Sequence, residues 1–173
     1  FAEFIEEKRA AWKVPGVAVA IVKDDEVIFS QGFGKRNIEA DLPVTPNTIF
    51  AIGSSSKAFT AASVAVAIED GKLEWDKPVR EYIPHFRMKD TFASERMSVR
   101  DLLCHRSGLP RHDLSWYNSS ATREQMIERV RYLESTHDFR TYFQYQNLMY
   151  LTAGYLAGYV ENTSWEELVR ERI

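Results

Sequence analysis

The amino-acid sequence predicts an α+β fold, in which an N-terminal helix and an antiparallel β-hairpin precede a mainly helical lobe. Two short runs rich in β-branched residues flank the turn Asp24-Asp25, and the chain after them is almost wholly helical in pattern. We expect residues 1–49 to supply the helix and hairpin to a sheet, and residues 50–173 to form the helical lobe.

The N-terminal segment reads as a succession of short elements. In order, the pattern predicts an amphipathic helix over 1–12, a stop at Pro15-Gly16, a buried strand over 17–22, a turn at Asp24-Asp25, a second strand over 26–30 and a strand end at Gly32-Phe33-Gly34. Because two antiparallel strands alone are marginally stable, we expect this hairpin to join a larger sheet or to be covered by helices.

The helical lobe has clear start signals but no further strand. A buried apolar helix is predicted from Ser54 to about Asp70, followed by a short turn or helical piece over 73–84. A short helix over 98–103, capped by Ser98 and Asp101, leads into a loop over 105–110. Three more helices are predicted: one beginning at Thr122, an apolar one over 147–159 and a last one after Ser164. The chain is therefore either a helical bundle carrying a hairpin or part of a sheet that other chain completes.

Composition excludes several classes of function. The chain has 173 residues, of which 45% are hydrophobic and 27% charged, with a formal net charge of -3, as is typical of one folded domain. This mildly acidic balance argues against nucleic-acid binding, and no apolar stretch is long enough to span a membrane. The sequence begins at Phe1 without a methionine, so we expect a removed leader or a trimmed N-terminus.

Metal and cofactor chemistry has no support in the sequence. The single cysteine, Cys104, excludes an internal disulfide and a multi-cysteine metal site. The 4 histidines are scattered without the spacing of a metallohydrolase. We predict neither a metal nor another cofactor, and the cellular compartment cannot be read.

The stretch Ser54-Ser55-Ser56-Lys57 is the strongest pointer to chemistry. Residues three apart on a helix share a face, so the hydroxyl of Ser54 can meet the amine of Lys57. A serine hydroxyl is a poor nucleophile until a base takes its proton, and burial disfavours the charged form of a lysine that would act as that base. The alternative is a lysine that extends its charge to the surface.

Three segments, in order, resemble the serine β-lactamase and penicillin-binding protein superfamily, especially its class C β-lactamase, D-amino-acid peptidase and esterase branch. They are the nucleophile helix at 50–61, the Leu-Leu-x-His-x-Ser-Gly-Leu loop at 102–110 and the Tyr-x-Asn motif at 145–147. The resemblance runs over nearly the whole chain and implies the β-lactamase/transpeptidase-like fold.

The resemblance implies roles for four residues. Ser54 would be the nucleophile that forms an acyl-enzyme, and Lys57 would accept or relay its proton. Tyr145 would act with Lys57 as general base, and Asn147 would bind the substrate amide or the lysine. Without the motif, Tyr145 would be an ordinary packed tyrosine and Asn147 only the N-cap of the following helix. His105 is expected to shape the site rather than to react.

One motif of the superfamily is missing, because no Lys-Thr-Gly or similar segment follows Asn147. We therefore interpret the chain as the N-terminal portion of a catalytic domain, with the C-terminal sheet strands absent. In the superfamily, the strand that carries this motif supplies the second oxyanion donor, so we expect this chain alone to be weak or inert as a hydrolase. A complementary C-terminal chain or self-association would cover the exposed hairpin edge.

The leading interpretation is a serine hydrolase acting on an ester, a β-lactam or a D-amino-acid peptide. A different class remains open: a penicillin- or peptide-binding module with little turnover, or an inactive fragment that needs a complementary chain. A Ser-His-Asp esterase is disfavoured, since Gly53-Ser54-Ser55-Ser56 lacks the second glycine of a nucleophile elbow.

Overall fold

A three-stranded antiparallel sheet follows the first helix. A computed structural model describes residues 1–173, which divide into two compact units, 1–52 and 53–173. The first unit contains α1 (Ala2–Ala11), β1 (Gly16–Lys23), β2 (Glu26–Asn37) and β3 (Leu42–Pro43), in the sheet order β1-β2-β3. Asp24 and Asp25 both have positive φ, of 51° and 64°, as the tight turn between twisted antiparallel strands requires.

The hairpin is longer than predicted, and it has a third strand that the sequence pattern did not reveal. The expected strand end at Gly32-Phe33-Gly34 is wrong, because β2 continues to Asn37 and pairs there with Leu42. The glycines admit a neighbouring backbone instead: a Cβ on Gly32 would lie 2.4 Å from the carbonyl oxygen of Val44. At two residues, β3 is too short to produce an alternating pattern.

The predicted burial of the first strand is also wrong. β1 contains no fully buried residue, and Val22 is 63% exposed. On the returning strand Val27 and Ile28 are likewise exposed. A run of β-branched residues indicates a strand, but burial depends on what packs against its two faces, which the run itself does not specify.

The second unit contains five helices packed around one core. They are α2 (Ser56–Glu69), α3 (Thr91–Arg96), α4 (Arg123–Arg129), α5 (Asn147–Val160) and α6 (Trp165–Arg172). The core includes Val64 and Ala67 of α2 and Met149, Ala153 and Leu156 of α5. No helix is both long enough and apolar enough to cross a membrane.

Side-chain caps begin two of these helices where the sequence predicts. The Thr122 hydroxyl accepts from the backbone N–H of Gln125, whose side chain accepts in return from the backbone N–H of Thr122. The Ser164 hydroxyl accepts from the N–H of Glu167. The helix α3 was not predicted. Its six residues are too few for a helical period, although Asp90 caps them.

The helix after Ser54 is only half buried, which corrects the expectation of burial on all sides. Thr60, Ser63, Val64 and Ala67 form its buried face, whereas Phe59 is 39% exposed. An apolar residue on every side permits burial of the whole helix without requiring it. The buried stripe faces α5 and α6, which are its main helical contacts in this unit.

Candidate active site

Ser54 is the middle residue of the 3-10 turn Gly53–Ser55, which leads directly into α2, and Lys57 is the second residue of the helix. The two side chains meet, because Lys57 Nζ donates to Ser54 Oγ at 3.2 Å. Ser54 is exposed and Lys57 is half-buried. The spacing of three residues thus produces the predicted contact, although the tighter turn rather than a regular helix makes it.

Tyr145 and Asn147 reach the same place from a segment far along the chain. Tyr145 O–H donates to Ser54 Oγ at 2.6 Å, and Lys57 Nζ donates to Asn147 Oδ1 at 2.7 Å. The Lys57 ammonium also lies 4.7 Å from the centre of the Tyr145 ring. The structure therefore brings all four predicted site residues into one hydrogen-bonded group.

Gln146 explains how its two neighbours come to face the site. Its backbone is extended, with φ −136° and ψ 118°, so the flanking side chains point to the opposite side from its own. The buried Gln146 amide donates to Pro110 O at 2.6 Å and accepts from Leu148 N–H at 2.8 Å. Gln146 is thus the N-cap of α5. The alternative that gave this role to Asn147 is wrong, and the Asn147 side chain is free to bind Lys57.

His105 supports the site from below the Tyr145 ring. The two rings stack with centroids 4.4 Å apart, and Nδ1 of His105 accepts from the backbone N–H of Gln146 at 3.1 Å. Burial, followed by the charge of Lys57, lowers the pKa of His105 below its ordinary value of 6.5. A neutral imidazole with Nδ1 committed to the backbone fits the expected shaping role.

The electrostatics of the site favour the phenolate form of Tyr145. Its pKa is lowered from 10.0, first by its interaction with the Lys57 side chain and second by the hydrogen bond with Ser54. The charge of Arg111 acts in the same direction, and its guanidinium carbon lies 5.0 Å from the Tyr145 ring centre. A phenolate is the form that can take a proton from a serine hydroxyl.

Sequence reasoning missed Arg111 and Asp113. Asn147 Nδ2 donates to Asp113 Oδ1 at 3.2 Å, and Arg111 Nε donates to Asp113 Oδ2 at 2.6 Å. The hydrogen bond from Arg111 is the largest cause that holds the pKa of Asp113 below 3.8. Their position directly after the 102–110 loop was the only available signal, and it does not say which way they point.

A cleft of about 390 Å³ opens beside Ser54 and Lys57. Thr60, Asn147 and Trp165 also line it, so a bound molecule in this cleft would lie against the hydroxyl of Ser54. A larger hollow of about 740 Å³ adjoins this cleft, since Trp165 lines both; it extends beside Tyr159 and Asn162 and is lined by none of the four predicted site residues. No group of three or more His, Cys, Asp and Glu side chains is arranged to hold a metal ion.

The fold and the group of side chains around Ser54 indicate one protein family. The family model described as Beta-lactamase matches residues 1–173, and the chain therefore belongs to this family. The resemblance and the β-lactamase/transpeptidase-like fold predicted from the sequence are both confirmed, with the sheet not closed within these residues.

Two relatives are known by name, one from Aspergillus campestris and one from Staphylococcus aureus. The chain is 32% identical to the unguisins hydrolase ungD' of Aspergillus campestris, covering 100% of this chain and 34% of the relative. It is 25% identical to Protein flp of Staphylococcus aureus, covering 95% of this chain and again 34% of the relative. The chain thus spans about a third of the length of these relatives.

Solved structures agree on the fold. The octameric penicillin-binding protein homologue from Pyrococcus abyssi superposes with a TM-score of 0.87 at 34% identity, covering 99% of this chain and 41% of that one. The D-amino acid amidase from Ochrobactrum anthropi SV3 has a TM-score of 0.82 at 25% identity, covering 98% of this chain and 47% of that one. Among these relatives, the unguisins hydrolase and the D-amino acid amidase are hydrolases.

Proposed function

We propose that this chain carries the nucleophile of a serine hydrolase that forms an acyl-enzyme on Ser54. One observation carries the proposal: Ser54 Oγ is hydrogen-bonded both to the Tyr145 phenol, at 2.6 Å, and to Lys57 Nζ, at 3.2 Å. A nucleophile within reach of its base, with the base adjusted by a third group, is the arrangement that activates a serine.

The acylation step follows from these contacts. The phenolate of Tyr145, stabilised by the Lys57 ammonium, takes the proton of Ser54 as Oγ attacks the substrate carbonyl carbon. The backbone N–H of Ser54 is one donor to the oxyanion. When the carbonyl–leaving-group bond breaks, the proton passes from Tyr145 to the departing amine or alkoxide.

Deacylation uses the same groups, with water as the nucleophile and Ser54 as the leaving group. Tyr145 takes a proton from a water molecule, whose oxygen bonds to the acyl carbon as the bond to Ser54 Oγ breaks. The proton returns to Ser54, and the acid product leaves. The side-chain oxygen of Asn147 accepts a hydrogen bond from Lys57, and its amide nitrogen, on the opposite side of the same group, donates one to Asp113.

The proposed substrates are an ester, a β-lactam or a D-amino-acid peptide. One relative is a D-amino acid amidase, and this favours an amide among these substrates. The cleft beside Ser54 supports a small molecule because it is a concave space of about 390 Å³, within the range that small-molecule sites occupy.

Labelling with a fluorescent fluorophosphonate tests the proposal. We expect one label per chain, lost in Ser54→Ala and retained in Ser55→Ala, which removes a neighbouring exposed hydroxyl. Hydrolysis of an ester or D-amino-acid amide should disappear with the label. Labelling that survives Ser54→Ala would contradict the proposal. Labelling without turnover would favour the alternative, a penicillin- or peptide-binding module.

We also propose that further chain or a second copy covers the apolar surface near the start of the site. On the second unit, Phe59 of α2 is 39% exposed. One structural neighbour is octameric, which supports self-association as one form of this cover. Light scattering after gel filtration, with and without added C-terminal chain, distinguishes a complementary chain from self-association. A fully active monomer of residues 1–173 would contradict both.

A further inference from the structure

The amide of Asn147 is held between two groups of opposite charge. Its Oδ1 accepts from the Lys57 ammonium at 2.7 Å, and its Nδ2 donates to the Asp113 carboxylate at 3.2 Å. If the amide were reversed, its N–H groups would face the ammonium and its oxygen would face the carboxylate, and both hydrogen bonds would be lost. The two flanking charges therefore define one orientation of this amide.

Asp113 is itself fixed by its neighbours in the chain. It begins the one-turn helix Asp113–Ser115, and its second carboxylate oxygen accepts from Arg111 Nε at 2.6 Å. The preceding residue, His112, adopts the left-handed conformation with φ 48°. This reversal of the backbone brings Arg111 and Asp113 to the same side, where the guanidinium also lies over the Tyr145 ring.

We propose that Asp113 is a positioning residue of the active site: it orients the Asn147 amide so that Oδ1 holds the Lys57 ammonium beside Ser54 and Tyr145. The inference rests on the proposed hydrolase function for its effect on rate. The contact itself does not depend on that function. Arg111 contributes by ion-pairing with Asp113 and so keeps the carboxylate oriented toward Asn147.

A double-mutant cycle on the intact protein tests the effect on rate. With the fluorophosphonate as probe, we expect Asp113→Ala to slow the labelling of Ser54 about tenfold, because small misplacements of reacting groups are costly. In the Asn147→Ala background the same change should add less than about twofold, since residues that act through one another are not additive. Equal effects in both backgrounds would overturn the proposal.

Two variants control for a general loss of structure. Asp76→Ala removes an exposed carboxylate that also pairs with an arginine, Arg100, outside the site, and should leave labelling unchanged. Asp113→Asn keeps the size of the side chain and should retain folding even where Asp113→Ala does not. We expect it to slow labelling less than Asp113→Ala, since its amide oxygen can still accept from Asn147 Nδ2.

A second measurement separates this inference from the proposed function. The side-chain amide protons of Asn147, assigned by NMR through Asn147→Ala, should shift as Asp113 is protonated and should lose that titration in Asp113→Asn. If the chemical shifts of the Asn147 amide protons did not change as Asp113 is protonated, the inference would be overturned, even where Ser54 is labelled. Absence of Ser54 labelling with the titration intact would instead contradict the hydrolase function alone.

Discussion

The phenol of Tyr145 is hydrogen-bonded to Ser54 Oγ at 2.6 Å across 91 residues of sequence. The contact exists because Gln146, extended and buried, turns Tyr145 outward, while His105 stacks beneath its ring at 4.4 Å. Two elements that are far apart in the chain are thereby held at hydrogen-bonding distance by side chains that take no part in the proposed reaction.

Removal of the Tyr145 hydroxyl should abolish most activity without unfolding the protein. For Tyr145→Phe we expect the rate of ester hydrolysis to fall by about 100-fold or more, the usual contribution of a general base. The ring, and with it the stacking on His105, is retained. Tyr132→Phe, which removes an exposed hydroxyl, is the matched control and should keep full activity. A Tyr145→Phe enzyme of unchanged rate would exclude the phenol as base.

The pH profile should report the lowered pKa of Tyr145. In the proposed mechanism the deprotonated phenol is the base, so kcat/KM should rise with pH through a limb below 10.0, the ordinary tyrosine value. Lys57→Gln removes the largest cause of the shift, so the residual activity should have its limb displaced toward 10.0. Rates across the alkaline range check both statements. A limb near the histidine value in the wild type would point to a different base.

Asp101 is expected to stabilise the helical lobe. It accepts from the Ser98 hydroxyl at 2.7 Å and from Arg140 at 2.7 and 3.0 Å, in a largely buried position. Asp101→Ala would leave these donors without their acceptor, but the half-exposed Arg140 stays solvated. We therefore expect a loss of about 2 kcal/mol in the free energy of unfolding, measured in urea. Asp76→Ala breaks an exposed pair and should cost about 0.5 kcal/mol or less.

The contribution of Asp101 should also depend on pH. Burial acts to raise its pKa, but the hydrogen bonds from Arg140 and Ser98 outweigh burial and hold the pKa below 3.8. The folded state therefore binds the proton less tightly than the unfolded state does. The stabilisation is complete above pH 3.8 and is lost as the pH falls through the lower, folded value. A stability difference between wild type and Asp101→Ala that grows in acid would contradict this sign.

Alanine substitutions at two glycines with positive φ should distinguish the cost of backbone strain from the cost of steric overlap. Gly108 has φ 85°, and a Cβ there would lie 2.3 Å from the carbonyl oxygen of His137. Gly71 has φ 73° with open space around it. We expect Gly71→Ala to cost about 1 kcal/mol in unfolding free energy, from strain alone. Gly108→Ala should cost at least about 2 kcal/mol more, since the backbone must also move. Similar melting temperatures would contradict the overlap.

The sequence alone specified the local features of the site and of most helices. A hydroxyl and an amine three residues apart meet at the start of a helix for geometric reasons that need no partner, and this predicted the contact of Ser54 with Lys57. The caps at Thr122 and Ser164 were likewise readable, because a cap is a contact between a side chain and its own next turn. The Tyr-x-Asn motif placed Tyr145 and Asn147 in the same site only through resemblance.

Only the tertiary structure decided what depends on distant neighbours. The two-residue strand β3 exists because the chain returns beside β2, and the half-exposed state of α2 depends on which elements pack against it. Asp113 could not be assigned a role from its own surroundings in the sequence, because the group that its carboxylate contacts, the Asn147 amide, is 34 residues away. Contacts of this kind are set by long-range packing, which local propensity and residue spacing do not predict.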